Sequence, residues 1–155
     1  MEVQLRAGKR IRVLMAILGL DQHETGALAV SAMLRDAGME VINLGRFASP
    51  ESVAEAAFED SADVVGISCH SWEYLHYLDD LLASLDRSGE RIPLMVGGSV
   101  ISPADKARLL EKGVAAVFRA GASRDEIVAT VRQLATSAEN RIRGRIPNSS
   151  ATPRR

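Results

Sequence analysis

Three short stretches of this 155-residue chain hold side chains able to do chemistry at close spacing: Asp21-Gln22-His23-Glu24-Thr25-Gly26, Ser68-Cys69-His70 and Gly97-Gly98. An aspartate two residues before a histidine suits a metal-ligating imidazole. One ring nitrogen of His23 faces the metal while the other donates its proton to the Asp21 carboxylate, which fixes the tautomer and raises ligand basicity. Gly26 lets the backbone turn into a following helix without steric penalty. Taken alone, each stretch also has a plain alternative: a histidine in such a loop is commonly just solvated, and a Gly-Gly pair is commonly a flexible strand end. Cys69 is the single cysteine. It excludes an intrachain disulfide and any C-x-x-C motif, places the chain by default in a reducing cytoplasm, and reads as a small buried apolar residue.

The elements that position these stretches follow from the alternation of β-type apolar runs with helical patterns. Arg12 to Leu18 is a nearly continuous apolar run, as in a parallel strand covered on both faces. Gly26 to Ala37 reads as a helix closed by Gly38. Glu40 to Asn43 is a second strand, and Ser49-Pro50 offers an N-cap followed by proline at N1 for a helix to about Asp60. Val64 to Ser68 is a third strand, followed by a helix over Tyr74 to Leu85 with leucines at helical spacing. Leu94 to Gly97 is a fourth strand, Ser102-Pro103 caps a helix ending near Lys112-Gly113, and Ala115 to Phe118 is a fifth strand. Ser123 caps a last helix reaching about Ser137. Five βα units predict a doubly wound α/β domain, a five-stranded parallel sheet in flavodoxin-like order 2-1-3-4-5. In such a sheet ligands sit beyond the carboxyl ends of the strands, beside the switch point between the first and third. The three stretches follow the first, third and fourth strands.

Composition narrows the function classes. The five arginines from Arg141 onward have no acid among them, which leaves 14 bases against 20 acids in residues 1–140. That acidic body argues against a nucleic-acid partner. The longest run without Asp, Glu, Lys or Arg is the 13 residues Ile92 to Ala104, interrupted by two glycines and two prolines, short of the roughly 18–20 apolar residues of a membrane span. The expected organisation is an N-terminal extension over 1–11, one folded domain over 12–138 and a basic, disordered tail over 139–155. Two occupants of the same fold are excluded by their site residues: a receiver domain needs an aspartate where Ser68 ends the third strand, and a flavin phosphate would be repelled by the acids of Asp21-Gln22-His23-Glu24.

Together, Asp21-x-His23-x-x-Gly26, Ser68 and Gly97-Gly98 resemble the three-part signature of the vitamin B12-binding domain of cobalamin-dependent mutases and methionine synthase. The 41 residues between Gly26 and Ser68 and the 26 between His70 and Gly97 are similar to the family's gaps, and the resemblance runs from about Arg12 to Ala138. It implies base-off/His-on cobalamin binding, with Asp21 to Gly26, Ser68, His70, Gly97 and Gly98 as the cofactor site. His23 takes the lower axial position on cobalt, with Asp21 behind it. The displaced dimethylbenzimidazole tail runs down a slot between the first and third strands, Ser68 bonds its nitrogen, and Gly97 and Gly98 leave room for it. His70 departs from the family's S-x-L pattern, and three readings stay open: it points to solvent, touches the corrin or its tail, or joins His23 and Cys69 at another metal. Trp72 and Tyr74 either cover the start of the third helix or contact the corrin or a partner.

With about 11 residues ahead of the first strand, the expected chain has no room for the helical cap of methyl-carrying corrinoid proteins, and it has no substrate barrel of its own. The implied role is the cobalamin-binding small subunit of an adenosylcobalamin-dependent acyl-CoA mutase, an isomerase that needs a large TIM-barrel subunit and is inactive without it. The alternative is a non-catalytic corrinoid carrier for methyl transfer or cobalamin delivery.

Overall fold

The structure, a computed structural model, describes residues 9–145 apart from Gln22 and Ser88, with the side chains of the last helix described as far as Ser137. Five parallel strands form the sheet: β1 (Arg12–Leu18), β2 (Glu40–Ala48), β3 (Val64–Ser68), β6 (Leu94–Gly97) and β7 (Ala116–Phe118), in the order β2-β1-β3-β6-β7. This is the expected 2-1-3-4-5 arrangement, counting only sheet strands. The helices α1 (Thr25–Asp36), α2 (Pro50–Glu59), α3 (Tyr74–Ser84), α4 (Pro103–Lys112) and α5 (Arg124–Arg145) connect or follow them.

Local chemistry sets the ends. Ser49 and Ser102 each close a capping box, with Pro50 and Pro103 at the first helical turn, where a missing N–H costs nothing. Ser123 Oγ accepts from Glu126 N at 3.2 Å at the start of α5. Gly113 ends α4 in the left-handed region at φ 109°, where a side chain would be strained.

Alternate residues of β1 feed two separate interiors. Leu14, Ala16 and Leu18 pack with Leu78, Leu81 and Leu109 under α2, α3 and α4. Val13 and Met15 pack with Leu34, Met95, Ile127 and Val131 under α1 and α5.

Three features differ from expectation. β2 runs five residues further, to Ala48, through two register shifts against β1; Gly45 at φ 74° and Phe47 at φ 65° supply the irregular backbone that lets an interrupted sequence keep pairing. A two-stranded hairpin, β4 (Asp86–Arg87) and β5 (Glu90–Arg91), joins α3 to β6; its only sequence signal was a Ser-Gly turn pair. The last helix continues past Ser137 to Arg145, so the first part of the expected disordered tail is helical. Once a helix is nucleated, residues such as Ala138, Glu139, Arg141 and Arg143 extend it at little cost. Residues 146–155 and 1–8 lie outside the described residues. Ile11, assigned to the extension, is buried in the α1/α5 interior.

Candidate functional site

The loop leaving β1 is built around a buried carboxylate. Asp21 is 6% exposed, and its oxygens accept four hydrogen bonds. Oδ1 takes His23 Nδ1 at 2.7 Å and His23 N at 3.1 Å. Oδ2 takes His70 N at 2.8 Å and Ser71 N at 3.3 Å. Burial acts to raise the carboxyl's pKa, but the hydrogen bonds from His70 N and His23 outweigh it and hold the group below its ordinary value. Asp21 thus ties the β1 loop to the β3 loop. Because an ionised carboxylate only accepts, a neutral His23 carries its proton on Nδ1 and keeps the Nε2 lone pair for a ligand. The His23 side chain is 65% exposed, so it stands at the surface, oriented from behind.

The rest of the loop is held from its sides. Glu73 Oε1 accepts from Leu20 N at 2.9 Å, and Glu24 pairs with Arg46 at 3.1 Å. Thr25 is exposed as the first residue of α1, and Gly26 follows it. Gln22 lies outside the described residues.

Beside this loop a cavity of about 290 Å³ opens between α1, the sheet and the β7–α5 connection, near the lower end of the range for small-molecule sites. Gly26, Ser68, His70, Gly97 and Gly98 all line it, together with Met15, Met33 and Met95. Its sheet-side lining comes from β1, β3, β6 and β7.

Packing demands only one of the two glycines of Gly97-Gly98. A Cβ on Gly98 would overlap the Cys69 carbonyl, so this position is fixed by backbone packing, whereas a Cβ on Gly97 would make ordinary contact with Phe118 at 3.6 Å. The glycine that clears the cavity floor is Gly66, where a Cβ would meet Met15 Sδ at 2.5 Å and Met95 Cε at 2.7 Å. Sequence reading missed it, although a glycine inside a fully apolar strand signals close approach by another group.

His70 is half-buried on the cavity wall. Its Nδ1 lies 3.0 Å from Ser99 Oγ, its ring centroid is 5.4 Å from that of His23, and its Nε2 is buried with no hydrogen-bond partner among the described residues. Among the described residues no group of three or more His, Cys, Asp or Glu side chains is placed to hold a metal. Cys69 Sγ instead donates to Gly97 O at 3.3 Å, and burial pushes its thiol up to about 12, with a smaller contribution from the Asp21 charge. Trp72 is 66% exposed, while Tyr74 is buried at the start of α3. Leu20 and Trp72, beyond the ends of β1 and β3, and Phe47, the penultimate residue of β2, are all exposed at the carboxyl end of three adjacent strands. Among the described residues, no helix is long and apolar enough to cross a membrane.

A doubly wound sheet with a carboxylate-oriented imidazole at its carboxyl edge, next to an apolar slot, defines a ligand-binding α/β domain of the class that receives a cofactor at the switch point. The chain belongs to the B12 binding domain family, whose model matches residues 11–129. It is 37% identical over 131 residues to the pivalyl-CoA mutase small subunit of Xanthobacter autotrophicus, covering 84% of this chain and 88% of that one. It is 35% identical over 124 residues to the 2-hydroxyisobutanoyl-CoA mutase small subunit of Aquincola tertiaricarbonis, covering 80% and 91%. Among solved structures, a cobalamin-binding protein from Desulfitobacterium hafniense superposes with a TM-score of 0.69 at 17% identity, over 81% of this chain and 60% of that one, a likeness of fold.

Proposed function

We propose that this chain is the cobalamin-binding small subunit of an adenosylcobalamin-dependent acyl-CoA mutase, working with a separate large TIM-barrel subunit that holds the acyl-CoA. The observation that carries the reading is the Asp21–His23 pair, 2.7 Å apart, with an apolar slot opening beside it. The residues fit the cofactor: an exposed Nε2 lone pair for cobalt, a cavity for the nucleotide tail, and polar atoms of Ser68 and His70 at its wall. The binding unit is residues 11–138, with Ile11 in its core and the backbone of α5 continuing to Arg145.

In this reading His23 would hold the cobalt of cobalamin, and the slot would take the nucleotide tail that the imidazole displaces. Asp21 keeps the His23 ring in one tautomer and orientation, and through His70 N and Ser71 N it holds the β3 loop at the same edge. Ser68 bonds the tail, Gly66 leaves the slot open, and Met15, Met33 and Met95 adapt to the heterocycle because thioether side chains repack at little cost. Bound there, adenosylcobalamin supplies the radical chemistry of carbon-skeleton rearrangement. Excluding water from that chemistry requires a second protein surface, and the exposed Leu20, Phe47 and Trp72 offer apolar contact area for it.

The test of His23 is electron paramagnetic resonance of the chain reconstituted with cob(II)alamin. Nitrogen-15 histidine labelling should change the superhyperfine splitting from the lower ligand, and His23→Ala should remove it; splitting untouched by the label rejects His23 ligation. The test of the subunit role is carbon-skeleton isomerisation followed by mass spectrometry. Turnover is expected only when a large subunit and an acyl-CoA are added, and turnover by the 155-residue chain alone would reject the division of labour. Methyl transfer from methylcobalamin to an acceptor protein would assign it instead as a corrinoid carrier.

A further inference from the structure

The slot contains a buried polar atom that has no hydrogen-bond partner among the described residues, His70 Nε2. Native structures pair the large majority of such atoms, and an unpaired one calls for a ligand or another explanation. Its position is well determined. The His70 backbone N–H is fixed on Asp21 at 2.8 Å, and Nδ1 is fixed on Ser99 Oγ at 3.0 Å. Nε2 lies 3.0 Å, and Ser68 Oγ 3.3 Å, from the one point that a Cβ on Gly26 would occupy. Two polar atoms therefore converge at a spot that a glycine keeps clear, on the wall of a cavity otherwise lined by methionines and other apolar groups.

From this convergence, and resting on the cobalamin reading above, we propose that His70 is a specificity-determining residue for the nucleotide tail. With Ser68 it forms a two-point hydrogen-bonding seat for the polar edge of the tail nucleoside, while the methionines take its apolar edge. Ser99 stands behind His70 as a positioning residue. A hydroxyl both donates and accepts, so Ser99 satisfies Nδ1 in either tautomer and lets Nε2 present an N–H or a lone pair, whichever the tail requires. An aliphatic side chain at position 70 would supply contact area but no directional bond. The chain consequently favours corrinoids that carry a heterocyclic nucleoside tail over those that do not, more strongly than Ser68 alone would provide.

Equilibrium dialysis of the full chain against adenosylcobalamin and tail-free adenosylcobinamide measures this directly, without any turnover. His70→Leu should weaken adenosylcobalamin binding about fivefold to tenfold, the effect of one net hydrogen bond, and leave adenosylcobinamide within about twofold. His70→Gln, which keeps a polar atom at similar reach, should recover most of the loss. Ser99→Ala should weaken adenosylcobalamin alone, by about two- to threefold, and gives the same test should the position-70 variants fold poorly. Equal losses for both corrinoids, no loss for either, or equal binding of the two by the wild-type chain would overturn the role of His70. Wild-type chain that binds neither corrinoid would overturn the cobalamin reading itself, and this inference with it.

Discussion

Replacing Asp21 with alanine separates two jobs that one side chain performs, and the sizes of the two losses follow from where its four hydrogen bonds lie. The bonds to His23 sit beside solvent, where water substitutes for the carboxylate once it is gone. Those to His70 N and Ser71 N, at 2.8 and 3.3 Å, hold the part-buried β3 loop. One well-formed charge-assisted bond and one long one set the loss for the cofactor-free fold at about 2–3 kcal/mol, which for a domain of this size lowers Tm by about 10 °C. His23→Ala removes a side chain that is 65% exposed, so the cofactor-free stability should change by less than about 0.5 kcal/mol. In cobalamin binding the order reverses. Asp21→Ala loses only orientation and basicity of the ligand, about 10–100-fold in affinity, whereas His23→Ala loses the ligand atom and should fall further. Urea unfolding followed by circular dichroism gives the first comparison and equilibrium dialysis the second. Should Asp21→Ala leave the cofactor-free fold within about 0.5 kcal/mol of wild type, or His23→Ala prove the more damaging to it, the assignment of Asp21 as the tie between the two loops is wrong.

The paired glycines should separate in the same unfolding assay. Gly98→Ala, which forces a Cβ into the Cys69 carbonyl, should cost about 3 kcal/mol or more, while Gly97→Ala, with Phe118 at 3.6 Å, should stay within about 1 kcal/mol. Cys69, buried and with its thiol pushed up to about 12, should resist iodoacetamide at pH 8 in the native chain and react quickly in denaturing urea, as read by mass spectrometry. At the start of α4, the Ser102 backbone N–H donated to Asp105 holds that carboxyl below the ordinary 3.8. A lowered folded-state pKa means a contribution fully present above the unfolded value and lost as pH falls through the folded one. The unfolding midpoint of wild type should therefore exceed that of Asp105→Ala at pH 6 and converge on it in stronger acid.

The strands were legible where apolar runs were unbroken. Arg12–Leu18, Val64–Ser68 and Leu94–Gly97 were read with the boundaries the structure has, because strands buried on both faces leave little ambiguity in composition. β2 was cut short at Asn43 because polar and glycine residues continue it through bulges, and irregular pairing has no period to detect. The site loops were legible from residue type and spacing. What the sequence could not show was which atoms meet across them: that the Asp21 carboxylate reaches the His70 backbone 49 residues away, that Ser99 turns to His70, or that Gly66 rather than Gly97 clears the cavity floor. Those are products of strand order and register, and register is fixed only once the sheet has assembled.

The sheet's two interiors also bear on how such a domain can change over generations. The leucine-rich side under α2, α3 and α4 gives the cavity only Ile67 among the described residues, and its other apolar walls belong to the methionine-bearing side under α1 and α5. Substitutions that reshape the cavity therefore draw mainly on one of two packing reserves, and the other keeps the chain above the threshold below which it would unfold. A scaffold divided in this way can drift in ligand preference on one face while its heritable fold is guarded by the other.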